Sequence, residues 1–171
     1  MPKRFEFSAE FDHPVERVHA LLTDEDYWRS RVADGSSRAE VRVEAATSDD
    51  GQPLVTVTMV ETVDSDNFPA LVRKVIRGEM RMERVDAWRP VHDGAATGLV
   101  TGRSTGIPVA IDGEYALRSH GVGSVLDVRG TITVRVPLVG GQIELLARQM
   151  VSQMVERDRT EAQSRLDGGR A

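Results

Sequence analysis

Gly102-Arg103-Ser104-Thr105-Gly106 carries the letters of a hydrolase nucleophile elbow, and Asp112 and His120 follow in the chain order of a triad. That chemistry needs a strand before the serine and a helix after it, so that a strained turn exposes the hydroxyl. Ile107-Pro108 and another strand pattern follow here, so the segment reads as a glycine-rich hairpin. The four histidines are His13, His19, His92 and His120, and the chain has no cysteine. No two of them have the i, i+4 spacing of a helical metal site, so no metal and no cofactor is expected. His13 reads as a capping residue, and His92 and His120 fall in turns. His19 lies on the apolar side of a helix, either as a buried, hydrogen-bonded core residue or as a polar contact at a cavity. Asp24, Glu25 and Asp26 are consecutive, so they cannot converge on one substrate and read as charge at a helix terminus.

Methionines and aromatics make a second group. Met59, Met80 and Met82 alternate along strand patterns, while Met150 and Met154 share one face of a long helix pattern with Ile143. Methionine has three flexible torsions and a polarizable sulfur, which suits either core filling or the lining of a site for a variable apolar ligand. Trp28, Trp88 and Tyr115 each pair an apolar body with one polar handle. Of these, Trp28 is expected at a cavity rim and Trp88 in ordinary packing. Arg73, Lys74 and Arg77, with Arg81 and Arg84 soon after, form a basic cluster. It reads as a solvated face, or as one that meets an anionic head group at a membrane surface.

The elements that position these residues follow from periodicity. Phe5, Phe7, Ala9 and Phe11 alternate with polar residues, the period of a strand. Asp12 or His13 then precedes Pro14 and Glu16, with Val15, Val18, His19 and Leu22 at helical spacing, and a short second helix is expected over 24–30. Alternation over 39–45 and 55–60 about Asp49-Asp50-Gly51 predicts a hairpin. Phe68, Leu71, Val72, Val75 and Ile76 have helical spacing between Pro69 and Gly78, which predicts a short helix across an opening of the sheet. Strands resume near 80–88, 96–104, 108–119 and 126–136. Pro137, Gly140 and Gly141 end them. A long amphipathic helix follows, with Leu146, Met150, Ile143, Met154, Ala147, Val151 and Val155 on one arc. Short turns between successive strands imply an antiparallel sheet.

Composition narrows the function classes. A net charge of −5 over 171 residues argues against a nucleic-acid partner, which calls for a basic face. No run of eighteen apolar residues is present and the first residues lack a signal-peptide core, so a cytoplasmic protein without stable membrane insertion is expected. The expected organisation is one domain over 1–166 with a flexible tail at 167–171.

The order of elements, with Phe11-Asp-His-Pro-Val-Glu-Arg-Val18, Asp26-Tyr-Trp28, Phe68-Pro-Ala-Leu-Val-Arg-Lys74 and Val136-Pro-Leu-Val-Gly-Gly-Gln-Ile-Glu144, resembles the START-like helix-grip (SRPBCC) superfamily. That superfamily includes the polyketide cyclases, and the resemblance is to an actinobacterial branch without an assigned biochemical role. It implies an α+β fold: a curved antiparallel sheet of six to seven strands gripping the C-terminal helix, with an apolar cavity between them. The leading reading of such a cavity is non-catalytic binding of a small hydrophobic ligand, lipid or polyketide-like. Trp28, Met59, Met80, Met82, Tyr115, Ile143, Met150 and Met154 would line the site, His19 would give a polar contact, and Phe68, Leu71 and Val72 of the segment 67–77 would gate it. The alternative is a cyclase-, aromatase- or dehydratase-like enzyme, for which His19, Tyr115, Asp112 and Arg103 are the candidate proton-transfer groups. A module that binds proteins through its convex face ranks third, because Glu40, Arg42, Glu44, Arg129 and Arg135 make that face polar.

Overall fold

The computed structural model describes residues 2–33, 38–76 and 78–169. Among these residues, seven strands form one antiparallel sheet: β1 (Lys3–Phe11), β2 (Arg38–Thr47), β3 (Pro53–Val63), β4 (Met80–Trp88), β5 (Ala95–Ser104), β6 (Val109–His120) and β7 (Gly123–Val134). The order β1-β7-β6-β5-β4-β3-β2 puts β1 and β2, neighbours in sequence, at opposite edges. The chain crosses between those edges through α1 (Val15–Leu22) and α2 (Glu25–Ala33), which close one end of the sheet's concave side. The long α4 (Gly140–Gly168) lies across that side and packs on β1, β7 and α1. Because α4 sits toward one edge, the inner faces of β3, β4 and β5 are left partly uncovered.

The sheet's curvature is written into its glycines. Gly113 of β6 faces Gly130 of β7 across the ladder. A Cβ on Gly130 would stand 2.3 Å from the Asp112 carbonyl and 2.9 Å from the Phe5 ring, and one on Gly113 would stand 2.8 Å from the Arg129 carbonyl. Only glycine allows the backbones to approach this closely, and such a pair marks a sharp bend. The inward positions carry the core: Phe5, Ala9 and Phe11 of β1, Leu126, Val128 and Ile132 of β7, and Ile143, Ala147, Val151 and Val155 of α4 are all buried.

Two local expectations change. The helix expected over 68–76 is a single 3-10 turn (Ser65–Asn67) followed by the short α3 (Ala70–Arg73), since Pro69 cannot continue a hydrogen-bonded helix through itself. α4 runs through Gly168, so 167 and 168, expected in a tail, are helical; 170–171 lie outside the described residues. His13 explains the longer helix. It is not the cap of α1, whose N-cap residue Pro14 makes no side-chain cap bond. His13 is fully buried instead, with Nε2 2.8 Å from Asp167 Oδ1. Arg17 Nη1 donates to His13 Nδ1 at 3.3 Å, which leaves Nε2–H to donate to the Asp167 carboxylate.

Candidate functional site

Between α4 and the uncovered inner faces of β3, β4 and β5 lies a pocket of about 260 Å³. Strand alternation delivers Met59 from β3 and Met80 and Met82 from β4, while α4 delivers Ile143, Met150 and Met154 at i, i+7 and i+11 spacing. Five of the chain's six methionines border this one space. Phe68 and Val72, from the segment between β3 and β4, complete one side of it; Leu71 does not reach it. Met150 is 37% exposed, so it stands at the rim.

The inner face of β4 is less uniform than its ends suggest. Met80, Met82, Arg84, Asp86 and Trp88 all point inward, so a cation and a carboxylate sit mid-strand in the interior. Arg84 grips Asp86 with two bonds, Nε to Oδ1 at 3.0 Å and Nη2 to Oδ2 at 2.8 Å. Its Nη1 donates to Asp158 Oδ2 of α4 at 2.8 Å, and its Nη2 also reaches the Tyr115 hydroxyl at 3.1 Å. Tyr115 in turn donates to Asp86 Oδ1 at 3.0 Å. Asp158 Oδ1 lies 2.9 Å from Arg31 Nη1, and Arg31 Nε pairs with Glu161. Arg31 and Arg84 both lie over the Trp28 ring, at 4.9 Å and 5.6 Å from its centroid, as cations prefer to do.

Burial sets the electrostatics of this cluster. It pushes the Asp86 carboxyl up, and the Arg84 guanidinium offsets that only in part, so Asp86 ends above the usual carboxylate range. Burial also opposes ionisation of Asp158, but Arg84 and Arg31 outweigh it and hold the carboxyl below that range. Desolvation lifts the Tyr115 hydroxyl well above its ordinary value, against the pull of Arg84. It likewise pushes Tyr27 up to about 12, with Arg31 opposing. Burial disfavours the charge on Arg84, yet Asp158 and Asp86 more than restore it, and the guanidinium stays ionised. A second void of about 20 Å³, room for roughly one water, lies beside Arg84, Asp86, Tyr115 and Asp158. Arg84 and Met154 border both spaces.

Several residues expected at the pocket are elsewhere. Trp28 is 1% exposed, and its Nε1–H donates to the Leu22 carbonyl at 2.8 Å; it is the floor beneath the two arginines and not a rim. Tyr115 stacks on Trp88 at 4.9 Å and is committed to Asp86. His19 donates through Nε2 to the Arg89 carbonyl at 2.8 Å and sits edge-on to Trp88, away from the pocket. Arg84, grouped by sequence with the solvated cations, faces inward. Arg73, Lys74 and Arg81 are exposed, and Arg77 lies outside the described residues. The elbow-like serine is not part of a triad: Ser104 Oγ donates to the Ile107 carbonyl at 2.6 Å, and Asp112 pairs with Arg103 at 2.7 Å. No three His, Cys, Asp or Glu side chains cluster as a metal site among the described residues. No helix there is long and apolar enough to cross a membrane.

The residues that sequence reading missed are Arg31, Arg84, Asp86 and Asp158. Strict alternation from Met82 to Trp88 carried the signal for the strand pair. Asp158 stands three residues after Val155 and four before Ala162, on the buried stripe of α4. Arg31 falls on a helix without a clear apolar face, and nothing local marks it.

A closed-in antiparallel sheet gripping a long helix, with a pocket between them, is the START-like helix-grip architecture. The same fold recurs in the crystal structure of TTHA0849 from Thermus thermophilus, at TM-score 0.63 and 12% identity over 99% of this chain and all of that one. It recurs also in a START superfamily protein from Mycobacterium smegmatis, at TM-score 0.55 and 10% identity over 96% and 97% of the two chains. Identities this low establish shared architecture alone. At the level of sequence, the chain belongs to the family described as "Protein of unknown function (DUF2505)", which it matches over residues 6–166. It is 34% identical over 161 residues to the uncharacterized proteins Rv0481c of Mycobacterium tuberculosis and Mb0491c of Mycobacterium bovis, covering 91% of each chain.

Proposed function

We propose that this chain is a non-catalytic binding protein that holds a small hydrophobic molecule, lipid or polyketide-like, between its sheet and α4. The observation that carries the reading is the convergence of five methionines from three elements on one open space of about 260 Å³. A core selected only for stability would fill that space, because each ångström cubed left empty costs up to about 24 cal/mol. Filling a volume of this order would add a few kcal/mol even after discounting for the open rim. Methionine, which repacks cheaply, suits a lining that must accept several shapes. Phe68 and Val72 sit on a segment held by one 3-10 turn and one four-residue helix, and that segment is the gate.

The test is mass spectrometry of protein purified without detergent, alongside thermal melting against a panel of medium-chain lipids. A co-purifying hydrophobic molecule, or a saturable rise in the midpoint that Met154→Trp abolishes, supports the proposal. Unliganded protein whose melting no compound shifts refutes it. Of the four candidates for the cyclase-like alternative, Arg103 borders the pocket but is bonded to Asp112 and to the Gly102 and Ile111 carbonyls, and His19 and Tyr115 have their polar atoms engaged away from it.

A further inference from the structure

Resting on the binding reading above, we infer that Arg84 selects ligands carrying an uncharged hydrogen-bond acceptor, such as a ketone or ester carbonyl, over fatty carboxylates. A guanidinium has five N–H donors in a fixed fork. Arg84 spends Nε–H on Asp86, both Nη2 protons on Asp86 and Tyr115, and one Nη1 proton on Asp158. One Nη1–H is left, on a side chain that is 19% exposed and borders the pocket. Tyr115 already donates to Asp86 and accepts from Arg84, so beside Arg84 the remaining N–H is the unspent donor; of the other cations that border the pocket, Arg103 is bonded to Asp112 and to the Gly102 and Ile111 carbonyls, and Arg157 is exposed to solvent. The charge of Arg84 is already matched by two carboxylates bonded to it. An incoming carboxylate would join Asp86, Asp158 and Glu161 around two arginines, an unbalanced arrangement in a poorly solvated place. A carbonyl accepts the hydrogen bond and brings no charge.

Size fixes the rest. A closed apolar cavity of about 150 Å³ holds benzene, so the space beside Arg84 holds in proportion a molecule of about ten non-hydrogen atoms.

Three ligands of that size separate the terms: 2-nonanone, nonanoate and butylbenzene, titrated calorimetrically at pH 8. The expected order is 2-nonanone tightest, by about tenfold over both others, the gain of one charge-assisted hydrogen bond. Arg84→Lys keeps the charge balance without the fork; once circular dichroism shows it folded, it is expected to lose the preference for 2-nonanone over butylbenzene. The wild-type series decides the question even if that variant does not fold. Nonanoate binding tighter than 2-nonanone overturns the inference, as does an unchanged preference in folded Arg84→Lys. Equal binding of ketone and butylbenzene, both blocked by Met154→Trp, overturns it while leaving the pocket as a binding site. If none of the three binds, both readings fail.

Discussion

Arg84 of β4 donates through Nη1 to Asp158 of α4 at 2.8 Å, the polar tie between the long helix and the strand that borders the pocket. The pocket exists beside this tie because α4 packs on β1 and β7 and meets β4 through charged side chains.

Asp158 also serves Arg31, so its neutralisation takes one carboxylate from each of two guanidiniums, leaving Arg84 with Asp86 and Arg31 with Glu161. Asp158→Asn is expected to cost about 1.5–3 kcal/mol at pH 7, the worth of hydrogen bonds to a charged group, measured by urea unfolding. The pH dependence follows from the folded-state value of Asp158 lying below its unfolded one. Its contribution is therefore complete above the ordinary carboxylate value, about 3.9, and is lost as pH falls through the lower folded value. The gap between wild type and Asp158→Asn should close on acidification. A gap that stays constant from pH 7 to below pH 4 would show that the ionised carboxylate is not the stabilising form. Asp86 acts in the opposite direction: its folded value is raised, so stability falls as pH rises from its unfolded to its folded value.

The chain has two tyrosines, and burial raises both. An exposed tyrosine ionises near pH 10. Absorbance at about 295 nm, the tyrosinate band, should show no native-state step there, and ionisation should coincide with loss of the circular dichroism signal. The sign agrees with an alkaline limit to stability, since the unfolded chain releases these protons first. A full tyrosinate step near pH 10 with the fold intact would place at least one hydroxyl in solvent.

Glycines separate bend from helix. Gly130→Ala forces a Cβ to 2.3 Å from a carbonyl oxygen that cannot move without opening the ladder, so a loss of several kcal/mol is expected in thermal or urea unfolding. Gly141→Ala, with open space about its Cα in the first turn of α4, should stabilise by up to about 1 kcal/mol. Equal effects from the two would contradict the curvature assigned to the Gly113–Gly130 pair.

Most of the architecture was legible because period is a local property. The alternation of Phe5 to Phe11 and of Leu126 to Val134, and the helical stripe from Ile143 to Val155, each declare an element without knowledge of the rest. The pocket methionines were legible for the same reason, since face and element together fix which way Met59, Met82 and Met154 point. What sequence did not disclose is how charges pair across elements. Arg84, Asp86 and Asp158 look solvated one at a time, and burying them becomes tolerable only when the fold brings them together with Arg31. Trp28 was misplaced by the same blindness: a tryptophan beside a helix turn reads as a rim until two guanidiniums are found stacked on it. Arg84 could still have been picked out, because strict alternation from Met80 to Trp88 leaves it no outward position.

An apolar ligand held in the space the methionines enclose would touch all five of them at once. Methyl-labelled methionine NMR during titration with 2-nonanone tests it most directly, with Met59, Met80, Met82, Met150 and Met154 assigned by single substitution. These five methyl resonances are expected to shift together, along one saturating curve with a shared dissociation constant. Resonances that stay fixed at saturating ligand, or that shift without saturation, would contradict it.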